Sequence, residues 1–310
     1  MNSKVIVVVG PTASGKTSLG VAIAERLDGE VISADSMQIY KYMTIATAKP
    51  TAEETKAIPH HLIDFVKPSE TFSVAKYKEL CEEKIRDILL RGKTPIIVGG
   101  TGLYIDTVVN NTRFVDYEKS GIREELEKKA ATLGANHLLD ELRTVDPKTA
   151  EKLHLNDLKR IIRALELYYT TGTTMSEQVE RSHDEKSEFD FVMIGLTSKD
   201  RQFLYDRINR RVDMMLEQGL IEEAKSFYSS AYSKTAKQAI GYKELKPYLD
   251  GECSLEEATE KLKMETRRYA KRQLTWFRRN EKIHWLNIDE ESSDELLKKS
   301  LEIIENTQGE

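Results

Sequence analysis

The chain has 310 residues, 39% of them apolar and 32% charged, with a formal net charge of −5. That length suits about two domains, and two cysteines far apart in sequence, Cys81 and Cys253, form neither a disulfide framework nor, alone, a zinc site. No apolar run approaches the roughly 20 residues that cross a bilayer. The N-terminus lacks a signal peptide's cleavage site, so a soluble cytoplasmic protein is expected, and the overall acidity gives no hint of a nucleic acid.

Lys4 to Val9 is a short β-branched run suited to a strand buried on both faces. A glycine-rich turn follows, then a helix expected over Ser18 to Leu27 and a second strand over Glu30 to Ala34. From Ser73 to Arg91 the spacing puts Val74, Tyr77, Cys81, Ile85 and Ile88 on one helical face, with Gly92 as the stop. Pro95 to Val98 begins another buried strand. Strands alternating with helices predict a parallel sheet with right-handed crossovers. Residues 113–188 read differently, as amphipathic helices centred on Ile122–Leu133, Ala135–Leu142 and Asp157–Thr170 with no strand pattern. Phe189 to Leu196 resumes a strand, followed by helices over Arg201–Gln218, Leu220–Ser229 and Leu255–Arg279, a last strand at Ile283–Ile288, and an acidic tail. The fold class predicted is therefore α/β: a P-loop NTPase-like parallel-sheet core from 1–112 and 189–310, carrying an all-helical insertion at 113–188.

Gly10-Pro11-Thr12-Ala13-Ser14-Gly15-Lys16-Thr17 fits G-x-x-x-x-G-K-[ST] between a strand and a helix. In such a loop the backbone N–H groups wrap phosphate oxygens, the lysine supplies a point charge, and the threonine hydroxyl holds Mg²⁺. Enzymes that act on a γ-phosphate usually place a second acid on a neighbouring strand end. Here Ile96-Ile97-Val98 runs into Gly99-Gly100-Thr101-Gly102 without one, whereas Val31-Ile32 ends in Ser33-Ala34-Asp35-Ser36. Asp35 thus stands where open α/β sheets place ligands, as a metal ligand, a general base or a turn former.

Residues 265–282 carry seven basic side chains against two acids, with Tyr269, Trp276 and Phe277 interleaved. Such a run suits a phosphate backbone and stacked bases, or a solvated helix whose aromatics belong to the core. Lys159, Arg160 and Arg163 form a smaller cluster, as do Arg207, Arg210 and Arg211. Arg207 and Arg211 share a helix face, and facing the loop they would suit a pyrophosphate. His60-His61 lack a third residue at zinc-like spacing and read as structural. The net charge therefore averages two unlike regions, for residues 289–310 hold eight acids against two lysines.

Taken together, GPTASGKT (10–17), DSMQIY (35–40), TAKP (47–50), HHLID (60–64), VGGTGLY (98–104), NDLKRIIRALE (156–166), RINRRVDMM (207–215), AIGYKE (239–244) and YAKRQLTWFRR (269–279) resemble the tRNA dimethylallyltransferases, in their shorter bacterial form. The resemblance implies transfer of a dimethylallyl group from dimethylallyl pyrophosphate to N6 of the adenosine just 3′ of the anticodon. It implies Asp35 as general base, Lys16 and Arg211 on the leaving pyrophosphate, and Thr17 positioning Mg²⁺. For the tRNA anticodon stem-loop it implies contacts from Asp35, Ser36, Met37 and Gln38, from Thr101 and Arg123, and from Lys159, Arg160, Ile161, Ile162 and Arg163. Further contacts would come from Gln238, Gly241, Tyr242, Arg268, Lys271 and Arg272. No membrane partner is expected, and a monomer is. A phosphoryl-transferring kinase and an RNA-binding nucleotide switch are the alternative readings of the loop.

Overall fold

A computed structural model describes residues 4–114, 121–183, 187–229, 232–233 and 235–307. By backbone contacts the chain divides into two compact units, 1–108 with 188–310, and 109–187. Residues 115–120 and 184–186 of the expected insertion lie outside the described residues.

The first unit is built on a six-stranded parallel sheet, in the order β3-β2-β4-β1-β5-β6. The strands are β1 (Lys4–Val9), β2 (Gly29–Ala34), β3 (His60–His61), β4 (Thr94–Gly99), β5 (Asp190–Thr197) and β6 (Ile283–Asn287). The central strand β1 explains its own composition. Ile6 and Val8 pack into one core with Leu19, Ile23, Ile96 and Ile194, while Val5, Val7 and Val9 are equally sealed from solvent. A strand covered on both faces has no polar side to alternate.

The longer helices of this unit are α1 (Lys16–Arg26), α2 (Val74–Leu90), α3 (Gly102–Val109), α8 (Arg201–Glu217), α9 (Leu220–Tyr228), α10 (Tyr242–Leu249), α11 (Leu255–Phe277) and α12 (Ser293–Asn306). Helix α1 begins two residues earlier than its pattern predicts. Gly15, in the left-handed region at φ 90°, starts the helix inside the loop motif and places Lys16 and Thr17 in its first turn. Residues 293–306 also depart from expectation. The stretch read as an acidic tail is a helix, started by a reciprocal capping box between Ser292 and Glu295. Its Ile304 lies in the main core, and Lys4 Nζ donates to the carbonyls of Ile304 and Thr307 at 2.8 and 3.0 Å. The acids cover its outer face.

The second unit holds α4 (Ile122–Leu133), α5 (Ala135–Val145), α6 (Leu158–Thr171) and α7 (Met175–His183), with no strand among the described residues. Leu126, Leu138, Leu139, Leu142, Ile161, Ile162 and Leu165 make its core.

Candidate active site at the phosphate loop

The loop after β1 turns tightly. Ala13 sits at φ 63°, and a Cβ on Gly10 would lie 2.8 Å from Ser14 Oγ. Ser14 Oγ is itself buried and, among the described residues, has no hydrogen-bond partner. Lys16 Nζ donates to the Pro11 carbonyl at 3.2 Å. Two arginines from one face of α8 reach the same loop, Arg207 Nε donating to the Ala13 carbonyl at 2.8 Å and Arg211 Nη1 to Thr12 Oγ1 at 3.2 Å. Withdrawal from water, then the nearby Arg211 charge, pull the Lys16 amine down to about 8. Burial likewise lowers the Arg211 guanidinium, opposed by Asp35. Crowding cations that destabilise one another is what a site does when it is completed by a polyanion.

Asp35 follows the C-terminal end of β2. Its Oδ1 accepts the Met37 amide at 2.8 Å and the Gln38 amide at 3.3 Å, so the turn-forming and site readings hold together. The second carboxylate oxygen takes no part in that turn. From the end of β4, Thr101 Oγ1 accepts the Ser36 amide at 3.0 Å and bonds Ser36 Oγ at 3.3 Å. Gln38 Nε2 donates to the carbonyls of Thr47 and Ala48 at 3.1 and 3.0 Å, tying the Asp35 turn to the 44–48 loop.

Asp35 borders two cavities. The smaller, about 60 Å³, is lined by Lys16, Thr17, Gln38 and Gln273 among others. The larger, about 350 Å³, has apolar walls of Met37, Val212, Met215 and Leu262 together with Gln238, Gly241 and Arg272. Thr12, Asp35, Thr47, Arg211 and Tyr269 line both. A cationic pocket and a mixed one thus meet at a single carboxylate.

Helix α11 divides its aromatics. Phe277 is in the core, and Trp276 packs on Gly102 and donates to Asp106 Oδ2 at 2.7 Å. Of these aromatics only Tyr269 faces the cavities, its phenol raised chiefly by burial. Gln273 is the residue that reading the sequence missed. Its Oε1 accepts the Thr12 amide at 2.9 Å and its Nε2 donates to the Gly100 carbonyl at 2.9 Å. Glycine at 100 leaves room for this bond, because a Cβ there would lie 2.1 Å from Gln273 Nε2 and push the side chain aside. A polar residue one turn beyond Tyr269, on the face carrying buried Ala270 and Phe277, is the signal that was available.

The residues implied for tRNA do not all gather here. Asp35, Ser36, Met37, Gln38, Gln238, Gly241 and Arg272 line the cavities and Thr101 adjoins them. Arg268 and Lys271 are exposed on α11, the former paired with Glu265 at 2.7 Å. Tyr242 is buried, its hydroxyl bonded to Glu223 Oε1 at 2.8 Å. In the second unit Lys159 and Arg160 are exposed. Arg123 grips Glu166 with two bonds of 3.0 and 2.8 Å, and Arg163 joins the same carboxylate at 3.1 Å. Ile161 and Ile162 are a correction. Both side chains belong to that unit's core, at 0% and 4% exposure, while Lys159 and Arg160 beside them turn outward. His60 and His61 form the edge strand β3, the first bonded to the Ile58 carbonyl at 2.8 Å and the second to Glu30 Oε2 at 2.7 Å.

Fold and site together define an α/β protein whose cationic pocket, at the glycine-lysine-threonine loop, opens onto a strand-end aspartate. A family model described as IPP transferase matches residues 38–280. The tRNA dimethylallyltransferase of Caldanaerobacter subterraneus subsp. tengcongensis is 52% identical over 305 residues, covering 97% of each chain. Among solved structures, the tRNA isopentenylpyrophosphate transferase of Bacillus halodurans is 45% identical with a TM-score of 0.73, covering 98% of this chain and 97% of that one. A eukaryotic dimethylallyltransferase acting on tRNA is 32% identical with a TM-score of 0.82, over 100% of this chain and 81% of that one. The chain belongs to the IPP transferase family. The kinase reading of the loop finds no support in these relatives, and among the described residues no helix is long and apolar enough to cross a membrane.

Proposed function

We propose that the protein transfers a dimethylallyl group from dimethylallyl pyrophosphate to N6 of the adenosine just 3′ of the anticodon in tRNA, releasing pyrophosphate. The observation that carries this reading is Asp35 at the border of the cationic pocket and the larger cavity. The exocyclic nitrogen attacks the allylic carbon as the carbon–oxygen bond to the pyrophosphate breaks. The bonding pair leaves with the pyrophosphate, where Lys16, Arg207 and Arg211 offset the growing charge. The N6 proton passes to Asp35, which acts as general base.

The smaller cavity offers a hydroxyl from Thr17 and a carboxylate from Asp35, oxygen donors of the kind Mg²⁺ accepts. Thr17 and the pyrophosphate oxygens would hold the ion, which would supply charge neutralisation at the leaving group. The acceptor base is presented from a single-stranded loop, where unstacking is inexpensive. Gln38, Thr101, Gln238 and the exposed face of α11 are suited to it, and in the second unit Arg123, Lys159, Arg160 and Arg163 are of the type that holds RNA phosphates. The protein works as a cytoplasmic monomer in this reading. Incubation with unmodified tRNA, dimethylallyl pyrophosphate and Mg²⁺ should release pyrophosphate in step with alkylated tRNA. Consumption of ATP in place of the prenyl donor would overturn the reading.

A further inference from the structure

One carboxylate outside this machinery lines neither cavity yet holds the loop that supplies part of the larger cavity's wall. Glu223, on α9, accepts the Thr44 and Ile45 amides on Oε2 at 2.9 and 2.8 Å and the Ala46 amide on Oε1 at 2.9 Å. The Tyr242 hydroxyl donates to Oε1 at 2.8 Å. Successive backbone N–H groups converging on a carboxylate make a nest of charge-assisted bonds. The 44–48 loop it closes supplies Ala46, Thr47 and Ala48 to the two cavities and accepts the Gln38 side chain.

The other end of the clamp is equally fixed. Tyr242 stacks on Phe227 with ring centroids 4.1 Å apart, and Phe227 on Tyr232 at 3.9 Å. Gly241, just before Tyr242, is in the left-handed region at φ 117°, and a Cβ there would come within 3.0 Å of Ala46 Cβ. Two segments that face each other across the cavity wall, 44–48 and 238–242, are therefore locked through one side chain that reaches neither cavity.

We propose that Glu223 is a positioning residue for the acceptor, setting the spacing of these two segments and hence the pose in which the adenine meets Asp35. This rests on the prenyl-transfer reading. Misplacement of a reacting group by about 1 Å can cost roughly 10²-fold in rate. Glutamine at 223 would turn an amide toward two N–H donors or toward the Ala46 amide and Tyr242, so it fits neither way.

The test compares wild type, Glu223→Gln and Tyr242→Phe in steady-state kinetics on tRNA, with inorganic pyrophosphate binding measured on the same samples. Wild-type alkylation of tRNA establishes the underlying reading independently. The inference then predicts that Glu223→Gln lowers kcat/KM for tRNA by about 10- to 100-fold, with pyrophosphate affinity unchanged. Tyr242→Phe, which removes one of the four donors and leaves the carboxylate its three backbone N–H partners, should fall several-fold. Wild-type kcat/KM in both variants would overturn it, as would an equal weakening of pyrophosphate, which marks general loosening.

Discussion

Gln273 Oε1 accepts the Thr12 amide at 2.9 Å while its own amide donates to Gly100 at 2.9 Å. One buried side chain therefore joins the basic helix α11, the phosphate loop and the end of β4. The Thr12 N–H is already satisfied in this way, so a bound anion would be met by the loop's other amides, by Lys16, and by Arg207 and Arg211.

Gln273→Ala leaves the Thr12 N–H and the Gly100 carbonyl without their partner. Each unmet buried group costs about 1–3 kcal/mol. The melting temperature should fall by several degrees, and the KM for the prenyl donor should rise because the loop is no longer held. A variant with wild-type melting and donor KM would show that water replaces the amide without loss.

Asp35→Asn preserves an oxygen for the Met37 and Gln38 amides but removes the base. Turnover should fall by about 10²- to 10⁴-fold with tRNA affinity little changed. Single-turnover rates and filter binding on the same preparation separate the two effects. Equal losses in both would make Asp35 a binding residue.

Lys16 gives a pH dependence of definite sign. With its amine at about 8 in the free protein, it is charged below that pH and loses its proton above it. A bound pyrophosphate favours the charged form, so above pH 8 binding must take up a proton. Calorimetry in buffers of different ionisation enthalpy should record this uptake at pH 9 and much less at pH 7. In Lys16→Ala the lysine's share should vanish.

A second ionic cluster lies away from the site and tests the scaffold alone. Glu30 is 3% exposed, accepts Arg91 and His61, and has its carboxyl lowered from 4.5 to about 2, chiefly by the hydrogen bond from Arg91. A depressed carboxyl stabilises the fold above its unfolded value and loses that contribution as pH falls from 4.5 toward 2. Glu30→Gln should cost about 3 kcal/mol near neutrality and flatten this acid limb of the stability curve while tRNA alkylation persists. Unfolding by denaturant across pH reads both.

Much of this was legible in the sequence because it is local. A β-branched strand, a glycine loop and a lysine-threonine helix start set the strand-loop-helix turn within fourteen residues, 4–17. The spacing of Arg207 and Arg211 puts them on one face wherever their helix lies. Gln273 was not legible, since its role depends on Gly100, 173 residues away in the chain. The helix at 293–306 was hidden by its acids, although its capping box and its Leu296, Leu297, Ile303 and Ile304 stripe are local signals. Ile161 and Ile162 failed for another reason. A family resemblance carries a segment, and only the helical period separates core-facing residues from the basic ones beside them.

The central claim is that the aspartate between two cavities serves alkylation of an exocyclic amine. Nucleosides from unmodified tRNA treated with the protein, dimethylallyl pyrophosphate and Mg²⁺ can be resolved by mass spectrometry. The account predicts one new nucleoside, an adenosine carrying the dimethylallyl group on N6, from the position 3′ of the anticodon. Unaltered adenosine in every tRNA that has adenosine at that position would contradict it.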